Sequence, residues 1–290
     1  MIERLDGIRW MAESETTGRL AGVKASDIVP LSPGLEAEVM LIRLADADCV
    51  LKIWNRDSKP DIGFQYRLLK ALHDRGMPVS KPLGWGVDAS GSQVLLTSFD
   101  GAAVRGEDAD KIADKLRRIA GLLLDIHRCR IDEPELPRYE FASYFFPDID
   151  GHPDLKRELL RLVERVQPRQ DTVIHGDYNF NNILEGEDGR LTVIDWTNGQ
   201  LGDARYDIAW SVFLADLYTD DESAAVYREA FQAGGGYRAE ELEPFEAIAL
   251  IRWLLLDRLS GMPRKETTDG RLKRILAANR WISGIEPPRP

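Results

Sequence analysis

The sequence predicts an α+β protein in two lobes, a strand-rich region over residues 1–101 with one interposed helix and a larger, mainly helical region over residues 102–290. Three observations lead there. The β-branched and aromatic runs that read as strands gather before residue 101. Long stretches with apolar residues at helical spacing gather after it. A chain of 290 residues is also long enough for each lobe to bury its own core.

Residues 49–54, CVLKIW, form a β-rich run with Lys52 near its centre. Alternation along a strand puts Leu51 and Ile53 on one face and Val50, Lys52 and Trp54 on the other, so the lysine shares a face with apolar groups. Before it, residues 31–36 read LSPGLE between two strand-like runs. Ser32 and Gly34 suit a turn there, and an ordinary hairpin turn has the same composition. Residues 62–75 follow, with Phe64, Leu68 or Leu69, and Leu72 at helical spacing. Residues 94–101, VLLTSFDG, read as a strand and a turn, and the junction between the lobes is expected at residues 97–101. Further on, residues 110–127 place Ile112, Leu116, Ile119, Leu123 and Ile126 on one helical face, and residues 153–166 do the same with Leu155, Leu159, Leu162 and Val166. Residues 241–259 are apolar over most of the circumference, the pattern of a buried core helix. Arg252 interrupts that run and Asp257 follows it, which excludes a membrane span.

The chemistry gathers in residues 175–196, HGDYNFNNILEGEDGRLTVIDW. Asp177 follows the strand-like run 172–174, Asn182 stands five residues further on, and Asp195 ends a second apolar run. D-x-x-x-x-N is the spacing of a phosphoryl-transfer catalytic loop. A nucleoside triphosphate brings several negative charges, and the magnesium that neutralises them takes hard oxygen ligands while keeping water and phosphate oxygens in its shell. An amide and a carboxylate meet that need, and a hairpin turning over residues 185–190 would bring Asn182 and Asp195 together. Asp177 is then left to accept a hydroxyl proton and aim the oxygen. A chance hairpin with polar turn residues is the competing reading, and three required residue types in the right order speak against it.

The string H-G-D-x-x-x-x-N, then I-D-W at residues 194–196, then GDARYDIAW at residues 202–210, resembles the aminoglycoside phosphotransferase and choline kinase family of small-molecule kinases. The resemblance implies a protein-kinase-like fold, with an antiparallel N-terminal sheet carrying one helix, a hinge, and a C-terminal catalytic and substrate-binding lobe. It implies Asp177 as the catalytic residue, Asn182 and Asp195 as ligands of Mg2+, and Lys52 as the lysine on the nucleotide phosphates. Asp207 would be a buried carboxylate bracing the loop from a helix start, and His175 would be structural. The phosphate-covering loop falls on Ser32 and Gly34, and adenine contacts fall on the backbone from Thr97 through Phe99 to Asp100. The implied cofactors are ATP, or GTP in its place, and Mg2+. The chain departs from the family at one position: where the family usually carries a Glu that pairs with the phosphate lysine, it has Gln65. A neutral amide can hydrogen-bond an ammonium but does not form the charge-assisted pair, which is about twice as strong.

A net charge of −11 argues against nucleic acid or an anionic membrane as a partner. The same acidity suits a cationic acceptor, and it also serves solubility. Cys49 and Cys129 are too few and too far apart for a disulfide framework. The four histidines lack zinc-ligand spacing, and the N-terminus carries no basic-then-apolar leader, so a cytosolic protein is expected. No signal of oligomeric state is present.

A small-molecule hydroxyl acceptor is expected, because the segment from Asp195 to Asp207 is short and lacks the A-P-E region of a protein kinase. Trp196, Asp203, Trp210, Asp216, Asp220, Asp221 and Trp253 are the candidates for shaping an acceptor pocket, each against an ordinary role in helix packing or capping. Aminoglycoside enzymes of the family often use acidic residues near the C-terminus, and Glu286 is the only late carboxylate here, which argues against a dedicated aminoglycoside enzyme. Two further readings come from other classes. A nucleotide-binding pseudokinase acting as an interaction module is suggested by Gln65 and the single-glycine loop. A compact, atypical protein kinase is the other.

Overall fold

In the computed structural model the β-rich runs pair into one antiparallel sheet of six strands: β1 (Arg9–Ala12), β2 (Ile28–Pro30), β3 (Ala37–Ile42), β4 (Cys49–Trp54), β5 (Pro82–Val87) and β6 (Gln93–Ser98), in the order β1-β5-β6-β4-β3-β2. Residues 5–31, 37–55, 61–104, 109–131, 136 and 138–285 are the described residues. The calls on Ser32, Gly34 and Glu286 lie outside them. Alternation works as expected in β4. Leu51 and Ile53 are buried in a core with Met40, Ile42, Val94 and Leu96, whereas Lys52 is only half-buried.

Two helices that lie wholly within the described residues accompany the sheet. The shorter, α1 (Glu15–Arg19), was not expected, because five residues carry too little periodicity to register. The longer, α2 (Ile62–Asp74), starts where the Asp61 carboxylate accepts the Phe64 N–H at 2.8 Å, an N-cap, and buries Phe64, Leu68, Leu69 and Leu72. It packs on β5 and β6.

The chain divides into two compact units. One comprises Met1–Val104 together with Asn181–Thr197, and the other Arg105–Phe180 together with Asn198–Pro290. The hairpin of β9 (Ile183–Glu185) and β10 (Leu191–Val193) therefore belongs to the first unit, where it extends with β7 (Ala102–Ala103) into a three-stranded sheet ordered β10-β9-β7.

The second unit is mainly helical. Its strands β8 (Thr172–Ile174) and β11 (Gln200–Gly202) pair antiparallel. Around them stand α3 (Ala109–Arg128), α4 (Phe141–Phe145), α5 (Pro153–Val166), α6 (Ala204–Tyr218), α7 (Asp221–Gly235), α8 (Ala239–Ser260) and α9 (Thr268–Ala278). Helices α6 and α8 pack against each other and are buried on nearly every side, as helices without a polar face must be. Leu250, Ile251, Trp253, Leu254 and Leu255 are all fully enclosed. Among the described residues no helix is long and apolar enough to cross a membrane.

Gly101 carries the chain from β6 into β7 with a φ of +124°, and a Cβ at that position would stand 2.1 Å from the carbonyl oxygen of Glu185. Gly101→Ala is expected to destabilise the protein by about 2 kcal/mol or more, because the alanine meets both a forbidden dihedral and a backbone atom that cannot yield. Urea unfolding of the variant against the parent measures it.

Candidate functional site

The first unit holds Lys52, Gln65, Asn182 and Asp195. Val193 and Ile183 face each other across the β9–β10 ladder, and one step further the Ile194 N–H donates to the Asn182 carbonyl at 2.9 Å. The hairpin thus brings the backbone of Asn182 beside Ile194, the residue before Asp195. Val193 N–H also donates to the Pro78 carbonyl at 2.7 Å, which ties β10 to the segment after α2.

Asp195 has a φ of +63°, in the left-handed region that costs a non-glycine residue roughly 1–2 kcal/mol. A short polar side chain offsets part of that cost by bonding locally, and Thr197 Oγ1 donates to Asp195 Oδ1 at 2.9 Å. The next residue pins the turn: Trp196 is buried and its Nε1–H donates to the Val193 carbonyl at 3.2 Å. The result is a carboxylate presented beyond the strand end with its side chain 42% exposed, and the Lys52 ammonium lies 3.5 Å from its Oδ1.

Gln65 is buried on α2, and among the described residues its Oε1 accepts no hydrogen bond. The amide therefore does not hold Lys52, and Asp195 does. Thr97 is paired within the sheet to Val50 and Pro82. The Phe99 N–H donates to the Asp48 carbonyl at 3.2 Å, while the Phe99 ring is exposed.

Among the described residues no group of three or more His, Cys, Asp and Glu side chains gathers as a metal site. The donors on this hairpin, the Asp195 carboxylate beside Lys52 and the Asn182 amide, would fit a cation that keeps most of its shell as water and phosphate oxygen, which is how Mg2+ binds with nucleotides. It does not fit zinc.

The second unit holds Asp177, at the end of β8 and its following turn. The buried carboxylate of Asp207, in the first turn of α6, organises that turn. Its Oδ2 accepts the His175 N–H at 2.8 Å and its Oδ1 accepts the Gly176 N–H at 2.8 Å, while His127 Nε2 from α3 meets Oδ2 at 3.0 Å. Burial alone pushes such a carboxyl up, but the bonds from His127 and His175 outweigh it and hold Asp207 below its ordinary 3.8. His175 is fully buried, and its Nδ1 accepts the Asp177 N–H at 3.2 Å, a scaffold role. Tyr178 anchors the other side by donating to the Ile119 carbonyl at 2.7 Å. Gly176 takes a φ of +78°, and a Cβ there would stand 2.7 Å from the Asn198 carbonyl oxygen.

The Asp177 side chain is oriented by Trp210, whose Nε1–H donates to Oδ1 at 2.8 Å. Of the residues considered for an acceptor pocket, Trp210 is thus bonded to Asp177. Asp203 and Asp220 cap α6 and α7, Asp216 pairs with Arg228, Asp221 pairs with Arg271, and Trp253 donates to the Tyr218 hydroxyl. Sequence reasoning missed His127, whose only mark was its place in the last turn of a helix, eighty positions before Asp207.

A sequence profile of the phosphotransferase enzyme family matches residues 27–247. Among solved structures the fold is similar to choline kinase LicA from Streptococcus pneumoniae, at 16% identity and a TM-score of 0.62 over 91% of this chain and 95% of that one. It is similar to aminoglycoside-3'-phosphotransferase of type VIII, at 21% identity and a TM-score of 0.61 over 81% of this chain and 95% of that one. A thermostable mutant of aminoglycoside phosphotransferase APH(4)-Ia, in ternary complex with AMP-PNP and hygromycin B, matches at 13% identity and a TM-score of 0.68 over 94% and 100%. At these identities the likeness is one of fold. No match was found among curated proteins.

Asp207→Asn is expected to cost about 3 kcal/mol, because in either orientation of the amide one backbone N–H faces an NH2 group and loses its acceptor. The carboxylate's contribution is complete above the unfolded value of 3.8 and is lost as the pH falls through the lower folded value, so the parent loses stability on acidification below that point. The difference in unfolding free energy between parent and variant should shrink over the same range, as urea titrations at stepped pH would measure.

Proposed function

The chain belongs to the phosphotransferase enzyme family and is a small-molecule kinase, and from that premise we propose that it moves the terminal phosphoryl group of ATP to a hydroxyl of an amino-alcohol or aminoglycoside-like acceptor. The observation that carries the reading is the meeting of Lys52 with Asp195 at 3.5 Å, at the end of the hairpin that also carries Asn182. A cation suited to the phosphates and a carboxylate suited to a metal stand together there, and the carboxylate sits on a strained backbone that a local function would explain.

In this reading Lys52 binds the α and β phosphates, and Asn182 and Asp195 hold Mg2+. The ion would neutralise charge on the phosphate oxygens. Asp177 accepts the hydroxyl proton and aims the oxygen, its carboxylate kept in one orientation by the Trp210 indole. The net charge of −11 supports a cationic acceptor, and so do the names of the similar folds, which are kinases of choline and of aminoglycosides.

A second reading draws on Gln65. A buried amide that does not hold Lys52 is what a nucleotide-binding pseudokinase would tolerate, and its mark would be ATP binding without turnover.

The test is magnesium-dependent release of ADP from ATP across aminoglycosides, macrolides, amino alcohols, amino acids and sugars. Asp177→Ala should lower turnover roughly 10²- to 10⁴-fold while ATP affinity stays near that of the parent. Equal loss of both would remove Asp177 from its role. Asp195→Ala should instead abolish the magnesium dependence of nucleotide binding, read calorimetrically with and without the metal, and an unchanged dependence would count against it.

A further inference from the structure

Arg252 lies on α8, a helix otherwise built of core residues, and is only 6% exposed. Among the described residues no carboxylate forms an ion pair with it. Its guanidinium instead lies over two aromatic rings, 4.2 Å from the centre of Trp210 and 4.9 Å from that of Phe145. One terminal nitrogen donates to the Gly176 carbonyl at 2.7 Å and to the Tyr206 hydroxyl at 3.0 Å, while among the described residues Nε has no hydrogen-bond partner. Burial pushes the Tyr206 phenol up to about 12, so it meets the arginine as a neutral hydroxyl and not as a counter-ion.

Packing does not account for such a residue. A buried cation without a counter-ion is costly, and an apolar side chain of similar volume would serve a core at least as well. Two of its contacts converge on Asp177. The Gly176 carbonyl belongs to the peptide that joins Gly176 to Asp177. Trp210, over whose ring the guanidinium lies, sends its Nε1–H to Asp177 Oδ1 at 2.8 Å. A planar cation lying over an indole restrains the tilt of that ring, and the N–H lies in the ring plane.

We propose that Arg252 is a positioning residue for Asp177, fixing its backbone through the Gly176 carbonyl and its carboxylate through the Trp210 indole. The proposal rests on the reading of Asp177 as the residue that orients the acceptor.

Arg252→Met keeps the length and removes the charge, and Arg252→Lys keeps the charge and removes the plane. The expected result for both is a folded protein that binds magnesium ATP with unchanged affinity. ADP release, with water or a panel acceptor as the phosphoryl acceptor, should fall roughly 100-fold at unchanged KM for ATP, as a small misplacement of a reacting group would produce. In the nitrogen-15 spectrum the Trp210 indole N–H, assigned with Trp210→Phe, should move in both Arg252 variants and in Asp177→Asn. An unmoved indole resonance in Arg252→Lys, or turnover within about threefold of the parent, overturns the proposal. If Arg252→Met does not fold, Arg252→Lys decides alone. Asp177→Asn separates the two readings: activity lost there but kept in Arg252→Lys defeats the role of Arg252 only, whereas activity kept in Asp177→Asn defeats the role of Asp177.

Discussion

A carboxylate taken wholly out of water costs several kcal/mol unless its lone pairs are matched by donors, and Asp207 meets that condition with two backbone N–H groups and one imidazole. The match makes the turn after β8 a defined structure. His175 and Gly176 are held by their N–H groups, which leaves the next peptide little freedom, and the Asp177 N–H is taken by the same His175 through its ring. Three elements distant in sequence, the end of α3, the β8 turn and the start of α6, are joined by a single buried charge. A network of this kind is stable only when complete, since any member left unpaired in a low dielectric forfeits more than its own bond.

Much of this was legible in the sequence because strand alternation and turn spacing are local. Lys52 fell on the half-buried face of β4 because side chains alternate along a strand, and Asn182 came beside Ile194, one residue before Asp195, because a hairpin returns the chain to its start. Asp207 was expected as a brace, but its partner was not. A histidine in the last turn of an amphipathic helix looks like many others until the tertiary fold brings α3 beside α6. Arg252 was read for what it excludes, a membrane span, and its contact with Trp210 and Phe145 was invisible because those rings come from two other helices. α1 escaped notice for a different reason: five residues make barely more than one turn, too short to show a period.

Gln65 was recognised from the sequence as a departure, and the structure makes its consequence concrete. The family's usual glutamate there would be expected to give Lys52 a charged partner on α2. Among the described residues the amide oxygen accepts no hydrogen bond, and the carboxylate of Asp195 pairs with Lys52. An unmade hydrogen bond on a buried acceptor costs about 1–3 kcal/mol, so Gln65 is not there for stability.

The strengths of these contacts fit the work proposed for them. Aiming a hydroxyl is a matter of geometry, and Asp177 has its carboxylate bonded by the Trp210 indole and its N–H by the His175 ring, while the Gly176 carbonyl before it is bonded by Arg252. Binding a nucleotide with its metal requires the opposite. Lys52 and Asp195 must release each other to receive phosphate oxygens and a cation, and a pair at 3.5 Å with side chains 19% and 42% exposed is worth at most about 1 kcal/mol. Such a pair holds both groups near their places without opposing the ligand. A tighter, buried ion pair at the same position would have to be broken at a cost of several kcal/mol before the first phosphate contact formed.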